Sequence, residues 1–305
     1  MKIPEKLINA LPERELFSAG HSGCAGCGAP IVARLILKIS GPDTVICNNT
    51  GCMEVFTTPY PRTSWQVPWI HAAFENAAAV ASGVDKGLKK QGVRDKTNLV
   101  VLGGDGSTFD IGFGALSGML ERGHKATYVC YDNEAYMNTG IQRSGATPKY
   151  ANTTTTPAGK KIHGKTEHTK PLPFIVAAHG AYTATANVAF PQDLAAKLKK
   201  SFEFDGPSYI QVFAPCPTGW KHPTDQGIEI AKLAFKTNVF PLFEIEKGVL
   251  KLNRKPAKFM PVEEYLMKQG RFKHLSKEDI ADVQEHVNSE WERLSKLDES
   301  GLKLF

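Results

Sequence analysis

The chain has 305 residues, of which 42% are hydrophobic and 22% charged, and its formal net charge is +6 at pH 7. This composition is typical of a globular protein with one large core or two smaller ones, and it excludes disordered, fibrous and collagen-like chains. The Lys and Arg residues are dispersed, and no basic run is interleaved with aromatic residues, which argues against nucleic-acid binding. The mild positive charge equally suits an anionic cofactor, an anionic coenzyme or an acidic electron-carrier protein.

The N-terminal segment MKIPEKLINALPEREL is charged and has neither an apolar core nor a small-residue cleavage site. No run in the chain approaches the roughly 18 consecutive apolar residues that are typical of a membrane-spanning helix. We therefore expect a cytoplasmic protein without membrane contact.

Short apolar runs rich in β-branched residues, each bounded by turn residues, predict buried parallel strands. They cover residues 44–46, 98–102, 126–131, 174–178 and 208–213. Helical patterns lie between them, at residues 29–39, 72–90, 113–122 and 192–202. This alternation predicts an α/β fold with a doubly wound, mostly parallel sheet, in which ligands bind at the carboxyl ends of the strands.

Residues 147–173, TPKYANTTTTPAGKKIHGKTEHTKPLP, predict a long irregular connection because they combine four consecutive Thr with several Lys and four Pro. Connections of this length are usually functional or mobile. We expect a surface segment that a partner chain or a ligand orders, with a plain solvated loop as the alternative.

The pattern changes after residue 240, where prolines punctuate a charged segment before a final helix. Ser276 can cap this helix with Asp279 three residues later. The apolar residues on one face of the helix are Ile280, Val283, Val287, Trp291 and Leu294. Residues 241–305 are therefore predicted to form a C-terminal arm that packs on the core or on another subunit, with an ordinary surface helix as the alternative.

The chain has six cysteines, which in a cytoplasmic protein favour metal or redox use over disulfides. Cys24 and Cys27 form a C-x-x-C motif among glycines, whose backbone can curl so that both thiolates face one metal group. Cys52 and Cys216 follow predicted strands, so a doubly wound fold brings their loops to one edge of the sheet. Cys130 lies inside a predicted strand and is interpreted as a buried thiol.

Zinc is the alternative to an iron-sulfur cluster at these cysteines, because C-x-x-C occurs at both kinds of site. Zinc ribbons usually take their ligands from two close knuckles, whereas these cysteines span roughly two hundred residues. The spacing therefore favours a cluster. Cys47 also follows a predicted strand, and its spacing alone leaves its role open.

The sequence contains a predicted strand with a glycine-rich turn, then one helical crossover and a second strand that leads to Asn133. This arrangement predicts a thiamine diphosphate site. A bound diphosphate needs a divalent cation, and Asp105, Asn133 and the Ala135 carbonyl can supply oxygen ligands from adjacent strand ends. The predicted cofactor-binding residues are Gly104, Asp105, Gly106, Ser107, Asn133 and Ala135. The alternative is a nucleotide-binding turn, but no G-x-G-x-x-G opens a helix after the first strand. We assign residues 1–240 to a thiamine diphosphate-binding domain that also carries the cluster ligands.

From about residue 20 to residue 225, the chain resembles the beta subunit of 2-oxoacid:ferredoxin oxidoreductases, most nearly the pyruvate:ferredoxin oxidoreductase (pyruvate synthase) branch. The resemblance is carried by residues 21–29, 48–52, 103–112, 136–144 and 215–220, and it weakens after residue 240. It implies that Cys24, Cys27, Cys52 and Cys216 bind a 4Fe-4S cluster close to the thiamine cofactor, and that Cys47 and Cys130 are not ligands.

The resemblance also implies that Mg²⁺ is held by Asp105, Asn133 and the main-chain carbonyl of Ala135. Asn138 matches an asparagine that faces the substrate and is the predicted catalytic residue, where its amide could polarise the oxoacid carbonyl or hold its carboxylate. The alternative for Asn138 is a turn-shaping role before Gly140. Three further residues could line the pocket or serve the fold alone, namely His21, His71 and Glu75.

The implied reaction is oxidative decarboxylation of a 2-oxoacid, pyruvate first, with transfer of the acyl group to coenzyme A and one-electron transfer to the cluster. No second thiamine-type domain is evident in the sequence, so the chain is expected to be inactive alone. The resemblance implies an alpha subunit with the pyrimidine-binding module, gamma and ferredoxin-like delta subunits, and an external ferredoxin.

Two other functions are left open by the sequence. One is a sister enzyme for oxalate, 2-oxoglutarate, or a branched-chain or aromatic oxoacid. The other belongs to a different class, a non-catalytic assembly subunit that binds zinc or a cluster beside a degenerate thiamine site.

Overall fold

The structure is a computed structural model, and it describes residues 11–305. The first ten residues, on which part of the predicted location depends, lie outside the described residues. None of the helices in the described part combines the length and apolar character that a bilayer crossing requires.

The described residues form one sheet of eight strands with helices on both faces. The strands are β1 (Thr44–Asn49), β2 (Trp69–Ala72), β3 (Asn98–Gly104), β4 (Thr127–Asp132), β5 (Tyr182–Asn187), β6 (Ser208–Phe213), β7 (Phe243–Glu246) and β8 (Val249–Leu252). Their order across the sheet is β2, β1, β3, β4, β6, β5, β7, β8. The first six in this order are parallel, and β7 and β8 pair antiparallel. The predicted α/β fold with a mostly parallel sheet is confirmed.

Two apolar layers sandwich the sheet because successive side chains of a strand point to opposite faces. The helices are α1 (Ala29–Ser40), α2 (Cys52–Thr57), α3 (Ala77–Lys90), α4 (Phe113–Glu121), α5 (Leu172–Ala177), α6 (Pro191–Glu203), α7 (Pro217–Trp220), α8 (Gly227–Lys236), α9 (Val262–Leu266) and α10 (Lys277–Ser300). On β3, Val100 and Leu102 join the layer that contains α1, α6 and α8. Leu99 and Val101 join the layer that contains α3, α4 and α5. This is the doubly wound arrangement.

One predicted strand, at residues 174–178, is wrong, since residues 174–177 belong to helix α5 and Ala178 caps it. A short apolar run fits a buried helix as well as a buried strand, and Pro171 and Pro173 suit the first turn of a helix. The strand at this position of the sheet is β5, whose sequence YTATAN is too polar to stand out, although all six residues are buried. The predicted helix at residues 72–90 begins later, at Ala77, because Trp69–Ala72 pairs with β1 as the edge strand β2.

The C-terminal arm packs on the rest of the same chain. Its helix α10 begins with the predicted capping box of Ser276 and Asp279, and Val287 and Leu294 on its apolar face are buried. The hairpin of β7 and β8, which was not predicted, extends the sheet itself. The division of the chain at residue 240 stays a prediction.

Residues 147–173 are irregular until α5 begins, as predicted, and the arm holds them in place. Lys149 Nζ lies 2.7 Å from Asp282 Oδ2, and His163 Nδ1 lies 2.7 Å from Asp279 Oδ2. Lys165 is buried, and its ammonium group donates to the carbonyl oxygen of Thr147. The chain's own C-terminal arm therefore supplies contacts that order this segment.

A buried charge cluster ties α3 to the opposite end of the sheet from the glycine-rich turn. The carboxylate of Asp85 accepts from Arg94 Nε at 2.5 Å, and its other oxygen lies 2.8 Å from His124 Nδ1 and 3.0 Å from Lys89 Nζ. Burial opposes ionisation of Asp85, but the three partners outweigh it and lower the pKa of this carboxyl to about 2. The ion pair is therefore formed throughout the neutral range.

We expect Asp85→Asn to lower the free energy of unfolding at pH 7 by roughly 3 kcal/mol, because the change leaves the guanidinium of Arg94 buried without its counter-charge. The folded-state pKa lies below the ordinary value of 3.8. The contribution of Asp85 is therefore complete above about pH 4 and is lost as the pH falls toward 2. Urea unfolding at pH 7 and at pH 3 measures both effects. The matched control is Asp95→Asn, an exposed carboxylate nearby. Equal unfolding midpoints for the two variants at pH 7 would contradict this role.

Candidate cofactor site

Three oxygen-bearing groups predicted from the sequence converge where β3 and β4 end side by side. Gly104 pairs with Tyr131 in the parallel ladder, so Asp105 and Asn133 leave the sheet at the same edge. One terminal atom of the Asn133 amide lies 2.9 Å from Asp105 Oδ1 and 3.0 Å from the carbonyl oxygen of Ala135. With nitrogen at that position the amide donates to both oxygens. With oxygen there, three oxygens face one another, and they could supply part of the oxygen coordination of a Mg²⁺ ion.

The carboxylate of Asp105 is completely buried, and burial raises its pKa to about 7. The hydroxyl of Ser144 donates to Asp105 Oδ2 and the backbone N–H of Asn133 donates to Oδ1 at 3.3 Å, and both donors oppose this shift. A buried carboxylate without a cation is costly, so a divalent ion at this position would favour the ionised form. The residues present therefore fit a bound cation.

Ser144 was not assigned this role from the sequence, although it lies in the segment that carries the resemblance. Its backbone N–H donates to Thr147 Oγ1 at 2.9 Å, and the Thr147 hydroxyl donates in turn to the carbonyl oxygen of Glu134 at 2.6 Å. These bonds fix the hydroxyl of Ser144 against Asp105. Ser144 lies 39 residues from Asp105 in the sequence, so no local sequence pattern indicates this contact.

The glycine-rich turn lies directly beneath an aromatic ring. A Cβ atom on Gly106 would lie 2.6 Å from Cδ1 of Tyr136, so only glycine fits there. Ser107 is buried, and its hydroxyl donates to the carbonyl oxygen of Gly104 at 2.9 Å. The chain then enters one π-helical turn at Ser107–Ile111, a feature that is frequent at functional sites.

An open, shallow cleft joins the glycine-rich turn to two other predicted groups. Its walls include Gly104, Gly106 and Ser107, and also Cys52 and Asn138. Asn138 is exposed at the rim, where its amide can reach a ligand in the cleft. The three other polar residues singled out from the sequence, His21, His71 and Glu75, are not among the residues lining the cleft.

The four predicted cluster cysteines lie near one another. Burial raises the pKa of Cys27 to about 12, and the neighbouring thiolates of Cys216 and Cys24 add to the shift. Burial likewise raises the pKa of Cys52 to about 12, and the charges of the other three cysteines and of Asp105 add to it. Thiols shifted in this way need a metal group or a strong cation to become thiolates.

The two cysteines that the resemblance excludes lie elsewhere. Cys47 in β1 and Cys130 in β4 are completely buried and belong to the apolar layer on the other face of the sheet. Cys216 belongs to the first layer, against which Cys27 and Cys52 pack. Cys47 and Cys130 are therefore separated from Cys27, Cys52 and Cys216 by the sheet.

Backbone contacts explain how cysteines far apart in the sequence come together. The N–H of Gly28 donates to the carbonyl oxygen of Pro215 at 3.1 Å, next to Cys216. Gly26 has a φ of +78°, and a Cβ atom there would lie 2.0 Å from the carbonyl oxygen of Thr224. The C-x-x-C loop therefore packs on the loop of Cys216 without intervening side chains.

Three further residues connect the cysteine loops to the Asp105 site and were missed from the sequence. The indole N–H of Trp220 donates to the carbonyl oxygen of Asn133 at 2.7 Å. The guanidinium of Arg271 lies 4.1 Å from the centre of the Trp220 ring and donates to the carboxylate of Glu134. Arg271 comes from the C-terminal arm, where no motif indicated a role in the site.

Comparisons with known proteins identify the family to which this chain belongs. Residues 49–212 match the family described as thiamine pyrophosphate enzyme, C-terminal TPP binding domain. Pyruvate synthase subunit PorB of Methanocaldococcus jannaschii is 54% identical over 289 residues, which cover 92% of this chain and 97% of that protein. PorB of Thermotoga maritima is 48% identical over 97% of this chain and 96% of its own length. Ketoisovalerate oxidoreductase subunit VorB of Pyrococcus furiosus is 48% identical over 98% of this chain and 99% of its own length.

A solved structure supports the fold. The 2-oxoglutarate:ferredoxin oxidoreductase from Magnetococcus marinus, solved with 2-oxoglutarate, coenzyme A and succinyl-CoA bound, superimposes with a TM-score of 0.57. The match covers 75% of this chain and 82% of that chain at 23% identity.

Proposed function

Since the chain belongs to the PorB/VorB family of 2-oxoacid:ferredoxin oxidoreductase beta subunits, we propose that its complex oxidatively decarboxylates pyruvate and transfers the acyl group to coenzyme A. The chain is one subunit of a multi-subunit oxidoreductase and contains a thiamine diphosphate-binding domain. The convergence of Asp105, Asn133 and Ala135 at one edge of the sheet is the observation that carries the cofactor assignment.

Each predicted residue has a distinct part in this proposal. Asp105, Asn133 and the carbonyl oxygen of Ala135 hold Mg²⁺, and the turn from Gly104 to Ser107 lets the backbone approach the diphosphate. Asn138, at the rim of the same cleft, donates its amide N–H to the oxoacid and orients it. Bound thiamine diphosphate supplies the electron sink for decarboxylation, and a 4Fe-4S cluster accepts electrons singly.

The sequence separation of the four cysteines supports a cluster over zinc in this proposal, because zinc ribbons usually take their ligands from two close knuckles. Cys27, Cys52 and Cys216 pack on the same side of the sheet. In the described part of the chain, no three side chains of His, Cys, Asp or Glu form a preformed set that could hold a single metal ion.

The remaining parts of the complex follow from the family resemblance. An alpha subunit supplies the pyrimidine-binding module, and gamma and ferredoxin-like delta subunits carry electrons to an external ferredoxin. The chain by itself is then expected to be inactive, because the resemblance places the group that activates the thiazolium ring on the alpha subunit. The cytoplasmic location and the division into residues 1–240 and 241–305 stay predictions.

The complex purified without oxygen and assayed with an artificial one-electron dye tests the proposed function. We expect pyruvate to exceed 2-oxoisovalerate in kcat/KM by roughly tenfold or more, because a pocket fitted to a methyl group excludes a branched chain. The reaction should require coenzyme A.

Other outcomes of this assay identify the alternatives. A preference for 2-oxoisovalerate would follow the VorB relatives, which are nearly as similar to this chain as the PorB relatives. Activity only without coenzyme A would indicate oxalate. Colourless protein that contains zinc and no iron would overturn the proposal and favour the assembly subunit.

A further inference from the structure

Arg271 is a buried cation in the C-terminal arm, and it lies in a short 3-10 turn, Gly270–Phe272, between α9 and α10. Only 2% of its surface is exposed. Its Nε donates to Gln269 Oε1 at 2.9 Å and its Nη2 lies 3.4 Å from the hydroxyl of Tyr265. A guanidinium stays charged at all ordinary pH values, so its burial requires a counter-charge.

That counter-charge is Glu134, the residue after Asn133 in the loop that ends β4. Arg271 Nη2 donates to Glu134 Oε2, and both side chains are almost completely buried. Glu134 has a left-handed backbone conformation, with φ of 63°. Its carboxylate therefore points away from the direction that an extended continuation of β4 would give, and it meets the arm.

The same guanidinium stacks on Trp220 at 4.1 Å, at the end of the short helix that follows Cys216. The backbone N–H of Trp220 donates to the carbonyl oxygen of Cys216 at 3.0 Å. The adjacent Gly270 donates its backbone N–H to the carbonyl oxygen of Lys221 at 3.1 Å. The arm therefore rests directly on the helix after Cys216.

Resting on the proposed function, we propose that Arg271 is a positioning residue that clamps the Asn133 loop to the Cys216 loop and raises the reduction potential of the cluster. The clamp is the pair of contacts to Glu134 and Trp220. The effect on the potential follows from charge, because a fixed positive charge near a cluster favours its reduced form.

Arg271 and Glu134 carry opposite charges, so replacing each one should shift the midpoint potential in the opposite direction. A general loss of structure would not produce shifts of opposite sign. Arg271→Gln removes the positive guanidinium that stacks on Trp220 at the end of the helix after Cys216, so the midpoint potential should become more negative. Glu134→Gln leaves the positive guanidinium, so the potential should become more positive. The double variant carries neither charge, and its two glutamine side chains can hydrogen-bond to each other. Its midpoint potential should therefore lie between those of the single variants.

The measurement is a redox titration of the whole complex, followed by electron paramagnetic resonance of the cluster signal that disappears in Cys216→Ala. Iron and thiamine diphosphate contents are measured on the same samples. Arg271→Lys keeps the charge and loses the planar fork. We expect it to leave the potential near that of the unmodified complex and to lower the thiamine diphosphate retained after gel filtration.

Arg94→Gln is the matched control, because it breaks another buried Arg–carboxylate pair remote from the site. It should lower stability without moving the potential. Shifts of the same sign in Arg271→Gln and Glu134→Gln, or no shift in either, would overturn the inference while leaving the proposed function intact. Absence of iron from this subunit in the unmodified complex would overturn the proposed function itself. If Arg271→Gln does not fold, the potentials of Glu134→Gln and Arg271→Lys still decide the outcome.

Discussion

Cys216→Ala removes most of the iron bound by this chain and lowers activity by roughly two orders of magnitude or more, if Cys216 is a cluster ligand. Its sulfur is buried and accepts a hydrogen bond from the backbone N–H of Gly219 at 3.4 Å. Such hydrogen bonds favour the thiolate form and tune a bound cluster. A methyl group at this position can neither bind iron nor accept that bond.

Cys47→Ala is the matched control for this experiment. This variant makes the same small change at another buried cysteine, but the side chain of Cys47 belongs to the apolar layer on the other face of the sheet. Iron analysis and visible absorption of the complex, handled without oxygen, compare the two variants. We expect Cys47→Ala to retain its iron and colour. Equal iron content in both variants would remove Cys216 from the ligand set.

Asp105→Asn is expected to abolish the Mg²⁺-dependent retention of thiamine diphosphate and, with it, nearly all activity. The substitution keeps the shape of the side chain but replaces a charged oxygen with an amide at the point where Asn133 and Ala135 also converge. Asp105 would hold Mg²⁺ through a charged carboxylate oxygen, and a neutral amide oxygen would bind this hard cation more weakly. Thiamine diphosphate that stays bound after gel filtration, with Mg²⁺ or with a chelator present, measures the effect.

This variant should leave the metal-free fold intact. Burial raises the pKa of Asp105 to about 7, so its negative charge contributes nothing favourable to the metal-free protein at neutral pH. The thermal midpoint without metal should therefore stay at or above that of the unmodified chain.

Asp132→Asn is the matched control, since Asp132 is a buried acidic residue on the next strand, where burial raises the pKa of its carboxyl well above the ordinary value. Its Oδ2 accepts from Gln211 Nε2 at 2.6 Å, and this amide can reverse to bond an asparagine. The control should retain Mg²⁺-dependent thiamine diphosphate. Loss in both variants would indicate a general requirement for acidic side chains at this edge instead of a metal ligand at Asp105.

The clamp described for Arg271 gives the C-terminal arm a part in the proposed site beyond packing. The resemblance to the family weakens after residue 240, yet Arg271 contacts both loops that carry predicted ligands. Residues 147–173 are held by the same arm through Lys149 and His163. The arm therefore connects the segments whose roles the sequence left open.

The candidate ligands were predicted from the sequence because their chemistry depends on residue type and on position relative to a strand, and their roles as ligands stay predictions. A turn that follows a buried strand and contains Asp105 predicts an oxygen ligand at the sheet edge, and the parallel ladder indeed brings Asn133 beside it. The cysteines after β1 and β6 were predicted to meet by the same reasoning, and Cys52 and Cys216 do pack in the same layer on one side of the sheet. Strand ends meet in a doubly wound sheet whatever lies between them.

Only the tertiary structure decided the supporting contacts and two elements of the fold. Ser144, Trp220 and Arg271 act through partners dozens of residues away or more, and no local pattern encodes which distant side chain will reach them. The sequence predicted a strand at residues 174–178, where the structure has helix α5, and it did not predict strand β5. These two errors have a related cause. Helix α5 is a short apolar run that suits either state, and strand β5 is polar in sequence but completely buried by its neighbours. The periodicity of apolar residues in the sequence indicates which side chains are buried, whereas tertiary packing decides which side chains contact one another.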